Sequence, residues 1–221
     1  MRILIIEDQN LIGKALKKGL VEEGYAVDWV TNLVDGLHLC REIEYDTMVL
    51  DIMLPDGSGL DLLKELRTAN LQTPVIILSA KDTLADKSLG FRMGTDDYMT
   101  KPFAFEEVLL RIAALIRRKY QVYGQSMSVG DLELDLSARV ARVGDKVLRL
   151  TSKEFSILEL FVLKRTKILS RAKIAEHIYS DSAEQESNVI DVFINKLRRK
   201  LETAGLPPLI ETIRGEGYTI R

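Results

Sequence analysis

The sequence predicts two folded units: an α/β half built on a five-stranded, parallel, doubly wound sheet, then a smaller α+β half. Three observations carry this. Up to residue 119, short apolar runs alternate five times with amphipathic stretches of helical period. Apolar strands separated by helices are the pattern of a parallel sheet covered on both faces. Past residue 126 the period becomes a residue-by-residue alternation, and a capping signature opens a run of three helices.

The elements follow in order. Residues 3–6 form a buried strand, after which Leu11, Ala15, Leu16 and Leu20 mark one face of a helix ended by Gly24. Residues 26–30 form the second strand, followed by a helix through Leu33, Leu37 and Cys40. Residues 47–50 form the third, and Pro55-Asp56-Gly57 leads into a helix carrying Leu60, Leu63 and Leu66. Residues 75–78, entered through Pro74, are the most apolar strand. A weaker helix (84–93), a short strand (97–100) and a long helix (105–119) close the half. Residues 120–126 show little periodicity and read as a linker, which sets the domains at 1–119 and 127–221. In the second domain, residues 132–136 and 140–150 alternate as short antiparallel strands. Thr151-Ser152-Lys153-Glu154 caps a helix along Phe155, Leu158, Leu160 and Phe161; further helices cover 171–178 and 188–201. Residues 209–213 and 218–220 flank Arg214-Gly215-Glu216-Gly217, a hairpin signal.

Composition removes several classes. No apolar run approaches the ~20 residues of a membrane-spanning helix, and the amino terminus turns acidic at Glu7-Asp8, too soon for a signal peptide. The single Cys40 excludes an internal disulfide and, among Leu37, Leu39 and Ile43, reads as a small core residue. A cytoplasmic protein without membrane partners is expected. The formal charge of −2 hides an asymmetry: 15 Lys/Arg against 19 Asp/Glu in residues 1–120, but 16 against 14 thereafter. Residues 164–173 carry five cations and no acid, and residues 196–200 four and none. Most charge runs are solvated faces, so this alone only points toward nucleic acid.

Four strand ends carry chemistry. The first strand runs into Glu7-Asp8, the third into Asp51, the fourth into Ser79, and the fifth leads to Lys101-Pro102. Each has an ordinary explanation, as a cap, a turn or a surface cation. Together, at equivalent ends of strands in one open sheet, they mark its ligand-binding edge. Three carboxylates that close repel by up to a few kcal/mol per pair at an effective dielectric of about 20, and a divalent cation such as Mg²⁺ relieves this. Asp51 can then act as a nucleophile toward phosphorus. Lys101 would offset charge on the transferring group, and the Ser79 hydroxyl could donate to it. The Lys101-Pro102 bond is a candidate cis peptide.

With Glu7-Asp8, Asp51-Ile52-Met53-Leu54-Pro55, Gly59, Ser79-Ala80, Asp96-Asp97-Tyr98 and Lys101-Pro102-Phe103 in place, residues 2–119 resemble the CheY-like receiver domain of two-component response regulators. The resemblance implies Mg²⁺ held by Glu7, Asp8, Asp51 and the Met53 backbone carbonyl, and phosphate taken by Asp51 from a sensor histidine kinase. It also implies switch roles for Ser79 and Tyr98, although Tyr98 could equally be a packing aromatic.

On the third helix of the second half, at about 100° per residue, Ile190, Phe193, Ile194, Leu197 and Leu201 share one arc. Asn188, Val192, Asn195 and Arg199 lie opposite, with Lys196 at the margin. Asn and Arg are suited to adenine and guanine edges in the major groove. Leu150 to Phe155, Leu169-Ser170-Arg171, Asp191 to Leu201, and Ile213 to Tyr218 then make residues 127–221 resemble the winged helix-turn-helix effector of the OmpR/PhoB family. That implies promoter DNA as partner, the third helix in the major groove and Arg214 as the wing contact. The loop 179–186 matches the segment that can touch RNA polymerase.

The resemblance further implies a homodimer formed on phosphorylation, with Lys87–Glu107 and Asp97–Arg111 as cross-dimer ion pairs. Ser88 and Leu109 depart from the family pattern at its apolar patch, and intrachain pairing is the simpler fate of these charges. Two other classes compete. A haloacid-dehalogenase-like phosphatase needs a second Asp where Met53 stands, so no enzyme is expected. A receiver whose second half docks proteins would bind no DNA.

Overall fold

The computed structural model describes residues 1–122, 124, 126–179 and 187–220, and the side chains of residues 187 and 188 fall outside that description. The chain divides into two compact units. One holds Arg2–Val21 and Val27–Gln121, and the other the remaining described residues.

The first half runs β1 (Arg2–Ile6), α1 (Asn10–Glu22), β2 (Ala26–Val30), α2 (Leu33–Glu42), β3 (Thr47–Asp51), β4 (Met53–Leu54), β5 (Gly57–Ser58), α3 (Gly59–Thr68), β6 (Val75–Ser79), α4 (Leu84–Arg92), β7 (Asp97–Thr100) and α5 (Phe105–Lys119). The main sheet has the order β2-β1-β3-β6-β7. Its β1–β3, β3–β6 and β6–β7 pairs are parallel. β1, β3 and β6 are buried throughout, as central strands between helical layers must be, with polar residues confined to their ends. Leu62, Leu63 and Leu66 of α3 and Val108, Ile112 and Ile116 of α5 are buried in the helical layers. Strand order reverses between β1 and β3, which opens a crevice at their carboxyl ends. Asp51 pairs with Leu78 and Ser79 with Thr100, so β3, β6 and β7 end close to one level.

Two details differ from expectation. Leu11, 87% exposed, and Ala15, also exposed, are not on the inner face of α1, whose buried stripe holds Leu16 and Leu20. Five residues at about 100° each separate Leu11 from Leu16 by roughly 140°. And the Pro55-Asp56 turn is the tip of a β4–β5 hairpin rather than a simple lead-in to α3. From that tip the Asp56 carboxylate accepts the Leu33 N–H at 2.8 Å, closing the first turn of α2.

The second half runs β8 (Ser126–Val129), β9 (Leu132–Asp135), β10 (Val140–Val143), β11 (Lys146–Val147), α6 (Ser152–Leu163), α7 (Arg171–Glu176), α8 (Ser187–Thr203), β12 (Ile210–Ile213) and β13 (Gly217–Ile220). β8, absent from the sequence reading, is the outer strand of an antiparallel sheet ordered β11-β10-β9-β8. Thr151 and Glu154 make the expected capping box on α6. β12 and β13 form the expected hairpin, and Leu169 bridges to Tyr218 by paired backbone bonds of 2.8 and 3.0 Å. A Cβ at Gly217 would lie 2.1 Å from the Leu169 carbonyl oxygen, so this bridge requires glycine there. Among the described residues no helix is long and apolar enough to cross a membrane.

Candidate functional site

The carboxyl edge of the parallel sheet gathers the strand-end residues. Glu7 is fully buried, Asp51 nearly so, and Asp8 partly exposed. Carboxylate oxygens of the three lie within 4.8 Å of one another. Lys101 Nζ sits 2.7 Å from Glu7 Oε2 and 2.6 Å from Asp51 Oδ2. The other Asp51 oxygen, Oδ1, accepts the Met53 N–H at 3.0 Å. Close helix entry completes the pocket floor: a Cβ on Gly59 would meet the Asp51 carbonyl oxygen at 2.1 Å, so only glycine lets α3 begin there. The Lys101–Pro102 peptide is cis.

Electrostatics follow from burial. Burial pushes the Glu7 carboxyl above the ordinary glutamate value of 4.5, more than the Lys101 ammonium pulls it down. Burial also disfavours the Lys101 charge, but bonds to Asp51 and Glu7 outweigh it and hold the ammonium above its ordinary 10.5. When ionised, three carboxylates face one ammonium, leaving two negative charges in an all-oxygen donor set. That set fits a hard divalent cation.

Lys101→Met is therefore expected to leave two buried carboxylates without their cation and to cost about 3 kcal/mol at neutral pH. In that variant Glu7 binds its proton more tightly in the folded state than in the unfolded one. Stability should then rise as pH falls from 7 to 5, because the folded state holds more protons. Urea unfolding at both pH values measures this, and equal stability at the two would contradict it.

Ser79 and Tyr98 meet at one residue, Lys81. Ser79 Oγ accepts the Lys81 N–H at 3.3 Å, and the Tyr98 hydroxyl donates to the Lys81 carbonyl at 2.8 Å. Tyr98 is buried although β7 is an edge strand, because Gly90 of α4 leaves room for its ring at 3.1 Å from where a Cβ would sit. Burial raises its phenol above the usual value.

Two contributors escaped sequence reading. Trp29 of β2 donates its indole N–H to the Glu7 backbone carbonyl at 2.9 Å. Its ring lies against Gly13, where a Cβ would come within 2.3 Å. Arg67 fastens the far end of the sheet through Gly94, Leu71 and Thr73 carbonyls and Asp96. Neither has a local sequence signal, since each depends on elements distant along the chain.

Of the residues assigned to dimer contacts, Arg111 is paired within its own chain, with Asp97 at 2.9 Å and Glu107 at 2.6 Å. Lys87 is half-buried on α4. Exposed Phe91 and Leu110 line the same surface depression as Asp97, Glu107 and Arg111, apolar residues at positions other than the Ser88 and Leu109 named from the sequence.

In the second half, Ile190, Ile194, Leu197 and Leu201 of α8 are buried, Phe193 is half-buried, and Val192, Asn195, Lys196 and Arg199 face solvent. The Asn188 side chain lies outside the described residues, as do residues 180–186 of the loop matched to polymerase contact. Arg214 is exposed at the tip of the β12–β13 hairpin. Two ties orient α8. Arg198 donates to the Ile210 carbonyl at 2.9 Å and to Thr212 Oγ1 at 2.7 Å. Asp191 receives Arg171 Nε at 2.8 Å and the Tyr218 hydroxyl at 2.6 Å, joining α7, α8 and β13. Arg171 and then Tyr218 hold the Asp191 carboxyl below its usual value.

A parallel sheet with an acid cluster at its switch point, on one chain with a winged three-helix unit, defines a DNA-binding regulator of receiver type. Comparison with known proteins agrees. Residues 3–113 match the family described as response regulator receiver domain, and residues 145–220 the family described as transcriptional regulatory protein, C terminal. The chain is similar to the transcriptional activator protein IrlR of Burkholderia pseudomallei (43% identical, covering 100% of this chain and 96% of that one). It is also similar to the transcriptional regulatory protein CusR of Escherichia coli (41%, covering 100% and 97%). Among solved structures, a Francisella response regulator receiver domain aligns with a TM-score of 0.52 at 37% identity, over 53% of this chain and 98% of that one. The chain belongs to the OmpR/PhoB family of two-component response regulators. It is a transcription factor with a phosphoaccepting receiver, not a conventional enzyme, and membership implies a cognate histidine kinase and DNA as partners.

Proposed function

We propose that Asp51 is the phosphoacceptor, with residues 1–119 as receiver, 120–126 as linker and 127–221 as reader. The observation that carries this is Asp51 bonded to Lys101 at 2.6 Å within a three-carboxylate cluster. An Asp51 oxygen forms the P–O bond as the P–N bond to a kinase histidine breaks, and the imidazole leaves with the electron pair. Glu7, Asp8, Asp51 and the Met53 carbonyl are the residues to hold Mg²⁺, which when bound supplies positive charge to the carboxylates and phosphoryl oxygens. Lys101 offsets the charge brought by the phosphoryl group, and the Ser79 hydroxyl donates to one of its oxygens. Because Ser79 accepts the Lys81 N–H and Tyr98 donates to the Lys81 carbonyl, drawing Ser79 to phosphate releases one of two ties on that loop and leaves the Tyr98 hydroxyl as the other.

The output is dimerisation through α4, β7 and α5, and promoter binding in the cytoplasm. Arg111 already has two partners in its own chain, so a dimer that pairs Lys87 with Glu107 and Asp97 with Arg111 exchanges ion pairs rather than adding them. Exposed pairs contribute up to about 1 kcal/mol each, which leaves Phe91 and Leu110 to supply the burial. Asn188, Val192, Asn195, Lys196 and Arg199 read the major groove, Arg214 contacts backbone or minor groove, and the segment 179–186 meets RNA polymerase. Selection from random oligonucleotides with and without a phosphodonor tests the whole. Enrichment of paired half-sites that depends on the donor is expected, and recovery of no DNA under either condition would refute the reading.

A further inference from the structure

We propose that the DNA-contacting surface continues from α8 onto a cationic groove beside β11 that holds the phosphodiester backbone of the duplex. The inference rests on the reading of α8 as the helix that enters the major groove. The groove, of about 690 Å³, has Lys146 and Arg149 on one wall and Lys196, Arg199 and Lys200 of α8 on the other. Its only lining acid is Glu154, and that charge is already answered. The Glu154 carboxylate receives Lys200 Nζ at 2.6 Å and the Thr151 N–H at 2.8 Å.

Lys146, Arg149, Lys196 and Arg199 are exposed and, among the described residues, have no ion-pair partner. Four like charges around one open groove repel one another, and an anion between the walls turns that repulsion into attraction. The walls are fixed in advance, because Lys200 also donates to the Arg149 carbonyl at 2.7 Å and ties the β11–α6 connection to α8. A compact anion would need converging donors at one point. Here the cations are spread along both sides of an open trough that continues into the solvent face of α8. That distribution suits a chain of phosphates, whose contacts set register without reading sequence.

The experiment measures binding of the full-length protein to its selected DNA between 50 and 200 mM salt. For the Lys146→Ala/Arg149→Ala double variant, the salt slope should fall by nearly two, with sequence preference unchanged. Two lost phosphate contacts at about 0.9 each make the parent's advantage shrink roughly tenfold across that range. A control of equal charge, Lys14→Ala/Lys64→Ala on the receiver, should keep the parental slope. A parental slope in the double variant overturns the proposal, as does an equal loss in the control. Tripolyphosphate titrated into the same proteins separates a free anion from the duplex. If tripolyphosphate binding is lost in the double variant while the DNA slope is unchanged, the groove serves a free anion and the proposal fails. Asn195→Ala, run alongside, fails to alter preference only if the reading of α8 itself is wrong.

Discussion

Asp51→Asn is expected to take up no phosphoryl group from a small-molecule phosphodonor, whereas the parent gains one phosphoryl mass by intact mass spectrometry. The substitution is nearly isosteric, and the amide oxygen can still accept the Met53 N–H that Asp51 Oδ1 accepts at 3.0 Å. What it loses is a carboxylate oxygen able to attack phosphorus and to accept from Lys101 at 2.6 Å. An amide nitrogen does neither. Lys101 keeps Glu7 at 2.7 Å, so the fold survives and the effect is confined to chemistry. Sedimentation with phosphodonor should then show donor-dependent self-association in the parent and none in the variant. A variant that still gains phosphate, or still dimerises in response to the donor, would show that the switch lies elsewhere.

The second large effect concerns DNA. Asn195 stands on the solvent face of α8, and a bidentate amide–adenine contact discriminates by about 1–3 kcal/mol. Asn195→Ala should therefore relax preference at one position of each half-site, roughly five- to a hundred-fold, and leave the others intact. Arg214, exposed at the hairpin tip, should behave differently. Its removal should weaken binding evenly across sequences and lower the salt slope by about 0.9. Competition binding with single-base variants of the selected site separates the two. If both variants keep the parental profile, α8 and the hairpin do not touch DNA as assigned.

What the sequence discloses, and what it withholds, follows from the range of the interactions. Glu7, Asp51, Ser79 and Lys101 stand out because apolar strands stop abruptly at them, and parallel strands bring equivalent ends together. The α8 faces are legible because residues three and four apart share a side of a helix. Leu11 was misjudged for the same reason: its angle from Leu16 puts it outside the buried stripe. The β4–β5 hairpin is two residues per strand, too short to carry a period. Arg171, Asp191 and Tyr218 were visible as family features, but their joint bond arises from three elements spread over 47 residues. Intrachain pairing of Arg111 with Asp97 and Glu107 was one of two fates the sequence left open for these charges, since packing rather than residue type decides whether a pair closes within a chain.

Trp29 is the sole tryptophan, and its indole is hydrogen-bonded to the backbone of Glu7. The molecule thus carries its own optical probe one residue's breadth from where an ion or a phosphate would settle. Emission from that single chromophore offers a label-free readout of occupancy in real time, in the intact protein, with no second tryptophan in the reader to blur the signal.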